Sequence, residues 1–279
     1  MKFRSILFVP ADRPERFEKA MNSATDALIL DFEDSVSPEK KAFARDAVKE
    51  FLSTRHDKPI AVRVNPLTSD FIEEDLSALE GVEPDGLLLP KAEGGRDIKA
   101  LEDRYPGKCP PILPVATETP AAIFELGSFR DVSVHLMGLT WGAEDLPAAI
   151  GASTSREADG RYTSPYELAR NLTLFAAHAA NVPAIETVYP DIKDEAGLAR
   201  YARTGRRDGF TGMMAIHPAQ CAIINEAFTP DAAEIAHARE IVDAFAANPG
   251  VGALKMDGKM IDAPHLKQAQ RILSMVGES

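Results

Sequence analysis

Short apolar segments recur along the whole chain, and each is followed by a longer segment with helical periodicity. The apolar segments have the length of buried strands rather than of helices. They lie at residues 6–9, 27–30, 60–64, 86–89, 112–116, 134–139, 183–188 and 210–216. Most are apolar throughout instead of alternating, which is typical of a parallel sheet covered on both faces. The pattern therefore predicts eight consecutive strand–helix units.

Eight such units predict an α/β protein, a (β/α)₈ TIM barrel with a C-terminal helical extension or lid. An open, doubly wound sheet is the alternative, but the chain has no glycine-rich phosphate loop to support it. We expect the barrel to occupy residues 1–228 and the extension residues 229–279. Within the extension, the glycines between 248 and 260 favour a mobile connection over a packed strand. We expect the extension to cover the active site of its own or a neighbouring subunit.

Two of the predicted units lie between residues 111 and 151, and an acid follows the strand of each. Glu118 comes after the fifth strand, and the pair Glu144 and Asp145 comes after the sixth. In parallel α/β folds, ligands and chemistry gather outside the carboxyl ends of the strands. Mg²⁺ takes one or two protein carboxylates and leaves its other positions to water and substrate oxygens. These acids are therefore candidate metal ligands or, alternatively, caps of the helices that follow.

Arg63 is the most unusual residue of the predicted strands, because it places a charge inside an apolar segment. A buried charge needs a partner. Asp31 and Asp34 follow the neighbouring strand, so the sequence allows an ion pair with either of them, contact with a substrate, or both. Lys91 follows the fourth strand and is expected on the same rim.

Composition narrows the function further. The net charge is −12 and no basic stripe is present, which argues against a nucleic-acid partner. No apolar run is long enough to span a membrane, and the first residues do not resemble a signal peptide. Cys109 and Cys221 have no metal-ligand spacing and indicate no disulfide framework. A cytoplasmic enzyme with small-molecule substrates is the expectation.

Eight short motifs carry a family resemblance. They are SILFVPA from Ser5, LDFEDSV from Leu30, RVN from Arg63, LPK from Leu89, ETP from Glu118, GAEDL from Gly142, IHP from Ile216 and GKMID from Gly258. In this order and spacing they resemble the citrate lyase β-subunit-like group of the malyl-CoA lyase and HpcH/HpaI aldolase superfamily. The resemblance runs from about residue 3 to residue 273. It implies a TIM barrel with a C-terminal extension, assembled as homotrimers or hexamers.

The resemblance also implies roles for particular residues. Glu118 and Asp145 would bind Mg²⁺, which Mn²⁺ can replace, while Glu144 would face elsewhere. Arg63 would contact the reacting oxygens of the substrate, and Glu118 would also lie against the substrate. Asp262 matches an acid that the family brings from an adjacent subunit to exchange a proton with the acetyl-CoA enolate. Its alternative role is the N-cap of the last helix.

Coenzyme A is implied as part of the substrate, with Lys40 and Arg45 as its phosphate partners. The activity implied is a reversible aldol or Claisen-type cleavage of a 3-hydroxy-3-carboxyacyl-CoA such as malyl-, citramalyl- or citryl-CoA. The products would be acetyl-CoA and a 2-oxo acid. Glu186 occupies a position at which relatives often carry Asp. The resemblance therefore leaves open which acidic side chain this position requires.

Three alternative functions remain open at this point. A class II pyruvate aldolase would act on free hydroxy-oxo acids, but such enzymes use a histidine near the second strand, where this chain has Ser35 and Val36. A thioesterase would hydrolyse malyl-CoA. A non-catalytic subunit would work only inside a citrate lyase complex.

Overall fold

The computed structural model describes residues 3–277. The chain divides into two compact units, Met1–Asn225 and Glu226–Ser279. The described part of the first unit contains an eight-stranded sheet, and that of the second contains a two-stranded one.

The strands of the first unit are parallel and follow one another in the order β5-β4-β3-β2-β1-β8-β7-β6. They are β1 (Ser5–Pro10), β2 (Ala27–Asp31), β3 (Ile60–Arg63), β4 (Gly86–Leu89), β5 (Ile112–Pro114), β6 (Leu139–Thr140), β7 (Ala184–Glu186) and β8 (Gly212–Ala215). Parallel bridges from Ile112 to Leu136 and from Val115 to Thr140 place β6 beside β5. The sheet is therefore a nearly closed (β/α)₈ barrel, and the predicted fold is confirmed.

Helices follow the strands around the barrel. They are α1 (Phe17–Met21), α2 (Lys41–Leu52), α3 (Ile72–Ala78), α4 (Gly95–Arg104), α5 (Pro120–Glu125), α6 (Leu146–Ile150), α7 (Ser164–Ala179), α8 (Glu195–Asp208) and α9 (Pro218–Ala227). Because helices cover the outer face, strand residues that point outward are as buried as those that point inward. Leu28, Ile29 and Leu30 are all fully buried, which explains the uninterrupted apolar run of β2.

The sixth strand is shorter than predicted. A strand is expected over 134–139, but residues Leu126–His135 form 3₁₀ turns and β6 covers only Leu139–Thr140. Val134 is apolar yet 87% exposed, so its hydrophobicity does not mark a strand. Gly138 permits the close approach that follows, since a Cβ there would lie 2.9 Å from the carbonyl oxygen of Pro183.

The second unit contains α10 (Ala232–Ala246), a β-hairpin and α11 (Ala263–Met275). The hairpin pairs β9 (Ala253–Met256) with β10 (Lys259–Asp262) in antiparallel fashion. The prediction of a mobile connection over 248–260 is therefore wrong. Asp257 and Gly258 both have positive φ, at 51° and 80°, as a two-residue hairpin turn requires, and Asp-Gly is a strong sequence signal for that turn.

This unit has its own small core of buried side chains. The core consists of Ala238, Ile241, Ile261, Ala269 and Leu273. No helix within residues 3–277 is long and apolar enough to cross a membrane.

Candidate active site

A cavity of about 370 Å³ lies at the carboxyl ends of the barrel strands. Its lining residues lie in or follow seven strands, β1–β3 and β5–β8. The charged lining residues are Asp31, Asp34, Arg63, Glu118, Glu144 and Asp145. The cavity lies at the end of the barrel where the sequence predicts chemistry, and it brings Arg63, Glu118 and Asp145 together.

Arg63 ends β3 directly beside Asp31, which ends β2. Its Nε and Nη2 donate to the two carboxylate oxygens of Asp31 at 2.6 and 2.7 Å. Its Nη1 lies 2.8 Å from Glu33 Oε2 and 3.3 Å from Asp34 Oδ2. Burial alone would raise the pKa of Asp31, but the hydrogen bonds and charge of Arg63 outweigh it and hold that pKa below its ordinary value. Arg63 thus forms the predicted ion pairs and also lines the cavity.

Lys91 connects the acids on the other side of the site. Its backbone has a positive φ of 53°, rare for a residue with a side chain, and its N–H donates to Glu118 Oε2 at 2.7 Å. Its Nζ lies 2.8 Å from both Glu33 Oε1 and Asp145 Oδ2. Burial would lower the pKa of Lys91, but its hydrogen bonds to Asp145 and Glu33 raise it overall. The ammonium is therefore a fixed positive charge among these carboxylates.

Glu118 is an acid of the cavity whose pKa is shifted well upward. Burial raises its pKa to about 7, and the negative charges of Glu33 and Asp145 add to this effect. Gly142 lies against it, because a Cβ at this position would be 2.7 Å from Glu118 Cγ and 2.9 Å from Glu118 Oε1. The Gly142 position therefore requires glycine if Glu118 is to keep this conformation.

The donor set fits a hard divalent cation. Two cations, Arg63 and Lys91, stand among five carboxylates, those of Asp31, Glu33, Asp34, Glu118 and Asp145. Among the described residues, no group of three or more His, Cys, Asp or Glu side chains is arranged to hold a metal. Mg²⁺ needs only one or two protein carboxylates, so Glu118 and Asp145 suffice when substrate and water supply the rest.

Glu144 is exposed, and it is among the residues that line the same cavity as Asp145. That its carboxylate faces away from the metal stays a prediction.

The two residues expected to bind coenzyme A have different surroundings. Lys40 is half-exposed and donates to Asp12 Oδ2 at 2.9 Å. The side chain of Arg45 is only 8% exposed; its Nε donates to the buried Asp75 at 2.8 Å, and it also pairs with Glu74. This packing uses the Arg45 guanidinium in the contact between α2 and α3. We therefore retain Lys40 alone as a candidate phosphate ligand.

Asp262 belongs to the second unit, where it ends β10 and precedes α11. Its Oδ1 lies 2.5 Å from His265 Nδ1, and its backbone N–H donates to the same nitrogen at 3.2 Å. Asp262 thus stands at the N-cap position that the sequence offers as an alternative to catalysis. Its catalytic role stays a prediction.

Glu186 does not point at the cavity. It is fully buried, and its carboxylate accepts hydrogen bonds from Arg170 Nε at 2.7 Å, from Tyr201 OH at 2.8 Å and from Trp141 Nε1. Trp141 lines the cavity, so this network fixes one wall of it.

Mostly apolar residues at the ends of β7 and β8 complete the lining, and they were not predicted from the sequence. The cavity is lined there by Thr187, Val188, Met214 and Ile216. A signal for some of them exists, because side chains two residues apart share a face of a strand. Ile185 and Met214 belong to the barrel core, so this alternation places Thr187 and Ile216 on the same inner face.

Comparisons with known proteins agree with this architecture. A family model described as HpcH/HpaI aldolase/citrate lyase matches residues 4–218, and one described as a C–C bond lyase of the TIM-barrel fold matches residues 166–276. The (3S)-malyl-CoA thioesterase of Cereibacter sphaeroides is 34% identical over 98% of this chain and 94% of its own length. The mitochondrial citramalyl-CoA lyase of Homo sapiens is 33% identical over 98% of this chain and 85% of its own length.

A solved structure of a relative has the same fold over the whole chain. The crystal structure of CitE from Mycobacterium tuberculosis, in complex with magnesium, acetoacetate and coenzyme A, superposes with a TM-score of 0.87 at 33% identity. The match covers 99% of both chains.

Proposed function

This chain belongs to the HpcH/HpaI aldolase/citrate lyase family of carbon–carbon lyases, and we propose that it cleaves a 3-hydroxy-3-carboxyacyl-CoA with the help of Mg²⁺. The products would be acetyl-CoA and a 2-oxo acid. The observation that carries the proposal is the cavity in which Arg63, clamped by Asp31, lies together with Glu118 and Asp145. The structure of the M. tuberculosis relative contains magnesium and coenzyme A, which supports both the metal and the thioester substrate of this proposal.

Glu118 and Asp145 would hold the metal. When bound, Mg²⁺ supplies Lewis-acid polarisation of the oxygen on the carbon that becomes the 2-oxo group. The N–H of Lys91 holds Glu118 Oε2, and its ammonium holds Asp145, so both acids are placed before substrate arrives.

Arg63 would stabilise the other half of the substrate. Cleavage breaks the bond between the hydroxyl-bearing carbon and the methylene carbon of the thioester. The hydroxyl releases its proton to solvent as its oxygen becomes the oxo group, and the thioester half leaves as an enolate with its negative charge on the thioester oxygen. A guanidinium has five N–H groups, and the hydrogen bonds to Asp31 and Asp34 use three of them. A remaining N–H can donate to the developing enolate oxygen, and the two hydrogen bonds to Asp31 keep the guanidinium oriented.

Asp262 would complete the reaction by giving a proton to the enolate carbon, or by removing one in the direction of synthesis. We propose that the second unit, residues 229–279 in the sequence-based division, brings this acid over the barrel site of its own or a neighbouring subunit. A homotrimer or hexamer is the assembly that we propose on the basis of the family resemblance. Lys40 would contact a phosphate of coenzyme A.

The test is Mg²⁺-dependent cleavage of citramalyl-CoA into acetyl-CoA and pyruvate. Glu118→Gln and Asp145→Asn should remove turnover while the proteins stay folded, because each deletes a charged oxygen ligand. Glu73→Gln, on the exposed face of α3, is the control and should keep the wild-type rate. Full activity in EDTA, in the wild type and in both site variants, would contradict the metal site.

A second candidate is hydrolysis of the thioester, which the name of the C. sphaeroides relative favours. Free thiol release separates the two activities, since a lyase leaves the thioester of acetyl-CoA intact. Cleavage of free hydroxy-oxo acids without coenzyme A would instead indicate an aldolase.

A further inference from the structure

The cavity is divided into a charged side and an apolar side. Its charged residues come from the ends of β2, β3, β5 and β6. Its lining from β7, β8 and β1, which are neighbours in the sheet, is apolar except for Thr187. That apolar side is formed by Val188, Met214, Ile216, Phe8 and Pro10.

The cavity also lacks a cation for a second acid group. Among the described residues that line it, Arg63 alone is positively charged, and its charge is already paired with Asp31, Glu33 and Asp34. The ammonium of Lys91 is occupied by Glu33 and Asp145. A further carboxylate in this cavity would meet apolar side chains, other carboxylates or the hydroxyls of Ser35 and Thr187, but no cation that is not already paired.

The reacting carbon of the proposed substrate carries four substituents: the hydroxyl, the carboxylate, the thioester arm and one further group. Its hydroxyl and carboxylate belong with Glu118 and Asp145, and its thioester arm belongs with Arg63. The fourth substituent, which becomes the side chain of the 2-oxo acid, is left for the side of the cavity lined by Val188, Met214 and Ile216. An ionised group there would be desolvated without a partner.

We propose that this apolar side selects 2-oxo acids with an uncharged, small alkyl side chain, so that pyruvate is the acid released and oxaloacetate is rejected. The inference rests on the proposed lyase function and specifies its substrate class. A methyl group buried against this wall should favour pyruvate over glyoxylate by about fourfold, as one buried carbon commonly does. The carboxymethyl group of oxaloacetate should cost at least about 100-fold in kcat/KM.

The experiment is condensation of acetyl-CoA with pyruvate, glyoxylate or oxaloacetate, at saturating Mg²⁺, with the thioester product measured by mass spectrometry. The expected order is pyruvate first, glyoxylate next and oxaloacetate far behind. Equal kcat/KM for oxaloacetate and pyruvate would overturn the selectivity and leave the lyase function standing. Condensation with none of the three would contradict the lyase function itself, and the inference with it.

A charge placed on the apolar side tests the cause. Ile216 is 39% exposed, so Ile216→Lys should fold, and its ammonium should raise the ratio of oxaloacetate to pyruvate kcat/KM at least about tenfold. Ile192→Lys is the matched control, because Ile192 is 42% exposed and does not line the cavity. It should keep the wild-type ratio. An unchanged ratio in folded Ile216→Lys, or an equal increase in the control, would overturn the proposal.

Discussion

Arg63 contacts Asp31 in a way that a lysine cannot reproduce. The planar guanidinium donates to both oxygens of Asp31, and the same residue lines the cavity. Arg63→Lys keeps the charge but loses the two-pronged contact. We therefore expect kcat for citramalyl-CoA cleavage to fall at least about 100-fold, the usual effect of removing a donor to a developing oxyanion.

Arg104→Lys is the control for this substitution. Arg104 pairs with Glu73 and donates to the Leu67 carbonyl outside the cavity, so its replacement should leave kcat unchanged. Steady-state rates are compared at a temperature where both variants are folded by circular dichroism. A wild-type kcat in Arg63→Lys would refute the contact with the enolate oxygen.

Single residues differ in how far the sequence predicts them. Arg63 stands out, since a charge inside an apolar strand needs a partner, and Asp31 on the next strand supplies it. The role of Lys91 in joining Glu33, Glu118 and Asp145 has no such signal, because it depends on a left-handed backbone at a non-glycine position.

Arg45 illustrates what position along the chain does not show. Its place after the DFEDS segment suggested a phosphate ligand, but its side chain on α2 donates to Asp75. Spacing along the chain does not reveal which face of a helix meets a neighbour when both faces carry charge.

At the scale of elements, hydrophobic runs predicted the strands that are covered by helices. They failed for a very short strand and for an exposed hairpin, whose positions depend on local backbone geometry. β2 is buried on both faces, so its apolar run is unbroken. β6 has only two residues, and the exposed Val134 extended the predicted strand in error. The hairpin of β9 and β10 is half-exposed and was missed, although Asp257 and Gly258 carry its turn.

The hairpin places Asp262 at the start of α11, where capping and catalysis make different predictions. Asp262→Asn keeps a side-chain oxygen that can cap α11 but removes the carboxylic acid. If Asp262 acts only as a cap, the variant should keep nearly all of its stability and its turnover. If Asp262 exchanges the proton, kcat should fall by orders of magnitude, with little change in melting temperature or Mg²⁺ affinity.

Asp231→Asn gives the matched control within the same unit. Asp231 caps α10 and its Oδ1 accepts from the N–H of Glu234 at 2.8 Å. This variant should keep both its melting temperature and its kcat. Wild-type turnover in Asp262→Asn would assign Asp262 to capping alone.

For the whole molecule, the division into two units raises the question of which subunit supplies Asp262. Asp262→Ala removes the acid from the second unit, and Glu118→Gln removes a candidate metal ligand from the barrel. Each variant alone should be inactive. In mixed oligomers a neighbour can supply the missing part, because the barrel of one subunit would then work with the acid of another.

The mixing experiment uses two affinity tags, so that only oligomers containing both variants are assayed. In a trimer that contains both variants, one site of the three joins an intact barrel to an intact neighbouring acid, so the expected activity is about a third of wild type. Glu118→Gln mixed with Asp145→Asn is the control and should recover nothing, since both lesions lie in the same barrel site. No recovery in verified Asp262→Ala and Glu118→Gln oligomers would mean that each subunit closes over its own barrel.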